Sequence, residues 1–245
     1  MRRTGVLPAI LMPIAVGCSS GSGAKAKTTG ATAQVRVVNQ NLLHGNACPA
    51  DSNRCDLPRR VALFARQLVR GDCPELVAIE EANRQTVAEL RKQVPGPCRY
   101  HLVYEGDPGQ DREVVLSTFP VLGSERRRLA GPLRTALWVH VATKVGGVDL
   151  VATHLASSSD DRPCDGSTCP APCAVSDTLN ACQGREAVAF LQAKRLPQSV
   201  AILAGDPNAK PDEPPTHATP PACCVDTPAA AGTPEPPPPP APNPA

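Results

Sequence analysis

The stretch Pro74-Glu75-Leu76-Val77-Ala78-Ile79-Glu80-Glu81-Ala82 sets four consecutive apolar residues ahead of two carboxylates. So short an unbroken apolar run predicts a buried strand, Leu76 to Ile79, with the glutamates at its end. On its N-terminal side, Asp56 and Pro58 form a helix start. Val61, Phe64, Ala65 and Leu68 follow at i, i+3, i+4 and i+7, and Gly71 ends the helix. On its C-terminal side, Asn83 to Val94 suits a second helix stopped by Pro95.

The same alternation continues further out. Val35-Arg36-Val37-Val38-Asn39 is a β-branched run and reads as a strand. Arg99 to Tyr104 and Glu113 to Thr118 read as two more. Leu133 to Thr143 and Val148 to Thr153 read as a hairpin turned at Gly146-Gly147. A third helix is expected over Gly184 to Leu196, before Pro197, and a buried strand over Ser199 to Ala204. Strands that alternate with helices but also form hairpins predict an α/β fold with mixed sheets and helices outside.

Four of these strands end in polar groups. The first gives Asn39-Gln40-Asn41-Leu42-Leu43-His44-Gly45, and the second Glu80-Glu81. The third gives Thr153-His154-Leu155, and the last Gly205-Asp206-Pro207-Asn208-Ala209. Each alone is weak, since an Asp after a buried strand is often a helix cap. Together they place an Asn, a carboxylate, a His and an Asp-x-Asn on one rim. That set suits a divalent cation and a general base.

In this order the motifs resemble those of the endonuclease/exonuclease/phosphatase family. Its pattern is an Asn near the first strand, then Leu-Gln-Glu, Thr-His-Leu, Gly-Asp-Phe-Asn and a final Ser-Asp-His. Asn41, Glu81, His154, Asp206 and Asn208 stand at the matching positions, with Glu80 in place of Gln and Pro207 in place of Phe. Ser117-Thr118-Phe119-Pro120 is similar to the family's Ser-Arg-x-Pro segment. Glu113 sits where related nucleases carry a Glu that supports a histidine.

The resemblance implies a four-layered α/β sandwich, two mixed β-sheets flanked by helices. It also implies hydrolysis of phosphodiester or phosphomonoester bonds with Mg²⁺ or Mn²⁺. Glu81 and Asn41 would hold the cation, Asp206 would activate water, Asn208 would position phosphate oxygens, and His154 would stabilise developing charge. No Ser-Asp-His follows Asp206, so the last strands are expected to be missing. The only later histidine, His217, lies among prolines. The alternative is a catalytically impaired surface lipoprotein of the same fold with a binding role or none.

Composition bounds the remainder. The 245 residues carry 41% hydrophobic side chains, enough for one sizeable domain. A net charge of +2 and 2% aromatics single out no partner among nucleic acid, phospholipid headgroup and sugar phosphate. Eleven cysteines suit an oxidising compartment. Residues 1–18 read as a signal peptide, with Arg2 and Arg3 before a short apolar stretch. Its end, Ala15-Val16-Gly17-Cys18, reads as a lipobox that would lipidate Cys18 and anchor the chain to a membrane. Ordinary secretion with cleavage near Gly17 is the alternative. Residues 19–33 read as a flexible linker, 34–209 as the folded domain, and 210–245 as a proline-rich disordered tail. Val225-Asp226-Thr227 looks like a remnant of ordinary sequence there, as after a frameshift.

A monomer is expected. Local disulfides are expected for Cys48–Cys55, Cys73–Cys98, Cys164–Cys169 and Cys173–Cys182. A zinc site formed by the last four of these cysteines is the alternative. His44 reads as a structural loop residue, with the site as its other possible place. Arg126-Arg127-Arg128 reads as a solvated face, with phosphate binding as the alternative.

Overall fold

The computed structural model describes residues 34–43, 56–94, 96–106, 112–144, 146–157, 161–164, 169, 173 and 176–208. The expected leader, Cys18, the linker, His44, the Cys48–Cys55 pair and the tail lie outside these residues.

Among the described residues, eight strands form two four-stranded sheets. The first contains β1 (Val37–Asn41), β2 (Leu76–Ala82), β3 (His101–Val103) and β4 (Arg112–Ser117), in the order β1-β2-β4-β3. The second contains β5 (Val121–Arg128), β6 (Thr135–Thr143), β7 (Gly146–His154) and β8 (Val200–Asp206), in that order. β1 runs parallel to β2, and β7 parallel to β8; the other pairs are antiparallel. Both parallel pairs are linked through a helix, α1 (Leu57–Arg70) and α3 (Leu179–Lys194), as a parallel crossover requires.

Strand alternation sorts the side chains into layers. Leu76, Ala78 and Val115 meet Leu137, Val139, Val141, Leu150 and Ala152 between the sheets. Val77, Ile79, Val114 and Leu116 point the other way, against Val61, Phe64 and Leu68 of α1 and Val87 and Leu90 of α2 (Arg84–Gln93). Ala136 and Val151 pack on Phe190 and Leu191 of α3. The result is the expected four-layered α/β sandwich, helix–sheet–sheet–helix. β8 is an edge strand among the described residues.

The helix signals act as read. Asp56 caps α1 by accepting from the Arg59 amide at 3.0 Å, and Gly71 closes it; Asn83 caps α2 through the Thr86 amide at 2.9 Å. Three details differ. The hairpin reverses between Thr143 and Gly146, and Gly146-Gly147 already belongs to β7.

α3 begins five residues earlier than its apolar pattern suggests, capped by Thr178. Its first turns bury the polar Asn180 and Gln183, which hide the helical period.

β5 escapes the pattern because it is a half-exposed edge strand ending in three arginines, the charge-protected kind. The Arg126–Arg128 run is therefore the end of this strand, with Arg127 over the Phe190 ring at 5.6 Å.

Disulfides join Cys73–Cys98, Cys164–Cys169 and Cys173–Cys182, as expected from the sequence. The Sγ atoms of Cys164, Cys169 and Cys182 lie within 4.8 Å of one another, but each is already in a disulfide, so the zinc alternative is not adopted.

Candidate active site

The parallel pairs send the C-terminal ends of β1 and β2, and of β7 and β8, to one rim of the sandwich. The antiparallel strands β4 and β6 begin at that rim, since Ile79 pairs with Val114 and Ala136 with Thr153. Alternation then fixes which side chains enter the gap between the sheets. Residues in step with Val37, Ala78, Val115, Leu137, Ala152 and Ala204 face inward. At the rim those positions are Asn39, Asn41, Glu80, Glu113, Thr135, His154 and Asp206.

Glu81 is out of step and reaches the site by a different device. The β2–β4 register shifts between Ile79 and Ala82, and Glu81 has φ +54°. This bulge returns Ala82 to the helix side and frees Glu81 from the pleat. A left-handed non-glycine residue carries strain, held here by the bulge. Asn41 Nδ2 donates to Glu81 Oε1 at 2.8 Å and to Asp206 Oδ2 at 3.3 Å, joining the sheets. Its Oδ1 accepts the Leu43 amide at 2.9 Å, which fixes the amide's orientation.

Glu80 is fully buried. Its Oε2 accepts from Asn39 Nδ2 at 3.4 Å, while Oε1 is enclosed without a hydrogen-bond partner. Burial, then the nearby Asp206 and Glu113 carboxylates, push its pKa up to about 9. Burial also raises Glu113, to about 7, against the Thr135 hydroxyl that bonds its Oε2 at 2.5 Å.

On the facing sheet, His154 pairs with Asp206 across β7 and β8. His154 Nδ1 lies 2.9 Å from Arg134 Nη1. A guanidinium can only donate, so Nδ1 accepts and a neutral ring carries its hydrogen on Nε2. Gly205 lets β8 close on β7: a Cβ there would lie 1.8 Å from the Thr153 carbonyl oxygen, and its φ is +150°. Asp206 Oδ1 accepts the Asn208 amide at 3.0 Å, and Asn208 Nδ2 donates to the Leu155 carbonyl at 2.9 Å.

These donors suit a hard divalent cation such as Mg²⁺ or Mn²⁺. They are oxygen atoms, several of them carboxylate, the ligand type that such a cation prefers.

No family model matches the sequence, and no curated protein sequence matches it. Solved structures do. Humanized D. rerio TDP2 superposes with a TM-score of 0.54 at 18% identity, over 72% of this chain and 63% of that one. ANGEL2, a 2′,3′-cyclic phosphatase, gives 0.53 at 17% identity, over 73% and 54%. A β-hairpin deletion mutant of beta toxin from Staphylococcus aureus gives 0.52 at 16%, over 73% and 68%. The fold is that of the endonuclease/exonuclease/phosphatase proteins. The chain spans about 63% of the length of the D. rerio TDP2 structure it matches.

Within this endonuclease/exonuclease/phosphatase fold, Asn41, Glu81, Glu113, His154, Asp206 and Asn208 all occupy the rim. Sequence reasoning missed the inward parity of Asn39 and Thr135, for which alternation from Val37 and Leu137 was an available signal. It also missed Arg134 beside His154, and Arg60, whose Nη2 donates to the Leu43 carbonyl at 2.6 Å and whose pKa burial lowers against the opposing charges of Asp56 and Glu81. Neither arginine has a sequence signal of its own.

Proposed function

We propose that this protein hydrolyses phosphodiester or phosphomonoester bonds at the Asn41–Glu81–His154–Asp206 rim with the help of Mg²⁺ or Mn²⁺. The carrying observation is the convergence of these side chains from strands of both sheets. The structural neighbours support the reading: one D. rerio TDP2 structure holds a single-strand DNA product, and one ANGEL2 structure holds adenosine-2′,3′-vanadate.

In this reading Glu81, with Asn41 beside it, holds the cation, which supplies positive charge against the scissile phosphate. Asp206 accepts the proton of the attacking water. The Nε2–H of His154 donates to a phosphoryl oxygen as negative charge builds there. Asn208 sets the phosphate's place from the Asp206 side. Nucleic acid, a phospholipid headgroup and a sugar phosphate all present the group this rim would bind. Export and anchoring through Cys18 belong to the same proposal, and Cys18→Ala should release the protein from membranes; unchanged retention contradicts lipidation.

A second reading, a binding protein without turnover, is favoured by one observation: Asp206 is followed by Pro207, which restricts Asp206 to extended backbone and removes an amide donor beside it. An assay with Mg²⁺ on DNA, sphingomyelin and bis-(p-nitrophenyl) phosphate, beside Glu81→Ala and Asp206→Ala, separates the two. Hydrolysis abolished by both variants supports the hydrolase. A folded protein inactive on all three supports binding alone.

A further inference from the structure

The first turn of α3 approaches the rim from outside the second sheet. Asn180, 8% exposed, donates from Nδ2 to the Ala156 carbonyl at 2.7 Å and to the Pro207 carbonyl at 2.8 Å. Both amide hydrogens are thereby used. Three residues on and on the same helix face, buried Gln183 accepts the Ala156 amide at 2.7 Å and donates to the Ala130 carbonyl at 2.7 Å. Asp161 Oδ1 accepts the Asn180 backbone N–H at 2.9 Å, which holds the start of the helix in place.

The two carbonyls that Asn180 joins belong to the loops leaving β7 and β8. Ala156 lies two residues after His154, and Pro207 lies between Asp206 and Asn208. The backbone ladder between these strands ends with the Leu155 amide on the Asp206 carbonyl, at 3.0 Å. In this parallel register the next donor would be the Asn208 amide to the Leu155 carbonyl, but that amide bonds Asp206 Oδ1 instead. Past that point the loops are joined through side chains: Asn208 to the Leu155 carbonyl, and Asn180 to both loops. With the backbone ladder ended there, this part of the rim is held by side-chain donors, and α3 provides one that reaches both loops.

We propose that Asn180 is a positioning residue, which fixes the Asp206–Asn208 segment against the end of the His154 strand. The inference rests on the hydrolase reading for its catalytic consequence, though not for its structural one. Asn180 touches no reacting atom; it acts through Asp206 and Asn208. A misplacement of about 1 Å at a reacting group can cost about a hundredfold in rate, so a lost clamp should lower kcat far more than it alters KM.

The test compares Asn180→Leu and Asn180→Asp with Phe190→Leu. The first two match asparagine in size but cannot donate. Phe190→Leu loosens the packing of α3 on the second sheet, away from the rim. Melting temperatures give the stability lost in each, kcat and KM are measured well below melting, and hydrogen exchange is followed at the Leu155 and Asn208 amides. Both Asn180 variants should lower kcat by about ten- to a hundredfold with KM within about threefold, and speed exchange at both amides about tenfold or more. Phe190→Leu should leave kcat within about threefold, and those amides as protected as their neighbours. Asn180 variants that match Phe190→Leu in kcat and in both amides overturn the proposal. If Asn180→Leu does not fold, Asn180→Asp decides. If the wild-type protein hydrolyses nothing, the hydrolase reading falls and exchange alone decides the clamp: unchanged amides overturn it, faster ones uphold it.

Discussion

Two buried carboxylates sit toward opposite ends of the sandwich and have opposite surroundings. Asp149, toward the far end, accepts from Trp138 Nε1 at 3.0 Å, His140 Nδ1 at 2.9 Å, the Leu196 amide at 3.0 Å and the Ser199 hydroxyl. Burial alone would raise its pKa, but these donors outweigh it and hold Asp149 below the usual carboxylate range. Glu80, at the active rim, is as deeply buried, has one weak donor and an orphaned oxygen, and is pushed up to about 9. Both are inward or outward strand residues of ordinary spacing, so burial does not separate them. The donors around them do: one end of the fold supplies a buried carboxylate with its donors and keeps it charged, and the other leaves Glu80 to hold its proton beside the Asp206 and Glu113 carboxylates.

The largest effect should come from breaking the active end. Asp206→Ala should lower phosphoesterase kcat by about a thousandfold or more while the melting temperature barely falls, measured by steady-state kinetics beside calorimetry. The far end should respond in reverse. Asp149→Ala leaves four donors without their acceptor and should destabilise the fold by roughly 3 kcal/mol, with kcat unchanged below melting. Urea unfolding followed by fluorescence reads this directly, because Trp138 is the sole tryptophan.

The next prediction sharpens the contrast through pH. Glu80 has a raised folded-state pKa, so its stability is fully present below the unfolded value of about 4.3 and is lost as pH rises toward about 9. In cation-free buffer, Glu80→Gln should remove that slope, up to about 1.4 kcal/mol per pH unit, and stabilise the protein by about 2 kcal/mol at neutral pH. A smaller effect belongs to Asp149. Its pKa is depressed, so its contribution is present above the unfolded value of about 3.9 and is lost as pH falls through the folded one. Asp149→Asn should flatten the acid limb below about pH 4; an unchanged acid limb would contradict the hub.

Much of this architecture was legible because burial leaves a periodic trace. The α1 pattern from Val61 to Leu68, its Asp56 cap and Gly71 stop, and the apolar run of β2 each have a single reading; the apolar run of β8 gave the strand, but not its burial, since at an edge of the described sheet Val200 and Leu203 are exposed. The motif residues were legible because strand ends collect on a rim. What stayed hidden has physical reasons. β5 faces solvent at an edge and carries charge where a pattern would be apolar. The start of α3 buries amides to serve loops rather than apolar side chains to fill a core. The Glu81 bulge shows in φ, which no residue type there advertises. The Asp149 hub gathers Trp138, His140 and Ser199 from separate segments, and only packing brings them together. Glu80 was visible as a departure from the pattern, but its retained proton depends on burial and on neighbours far off in sequence.

The most direct test of the account is a calorimetric titration of Mn²⁺ into the cation-free wild-type protein and into Glu81→Ala, both checked for folding by circular dichroism. The account predicts one saturable site in the wild type that Glu81→Ala removes. Equal binding in the two proteins, or none in a folded wild type, would contradict a cation site at this rim.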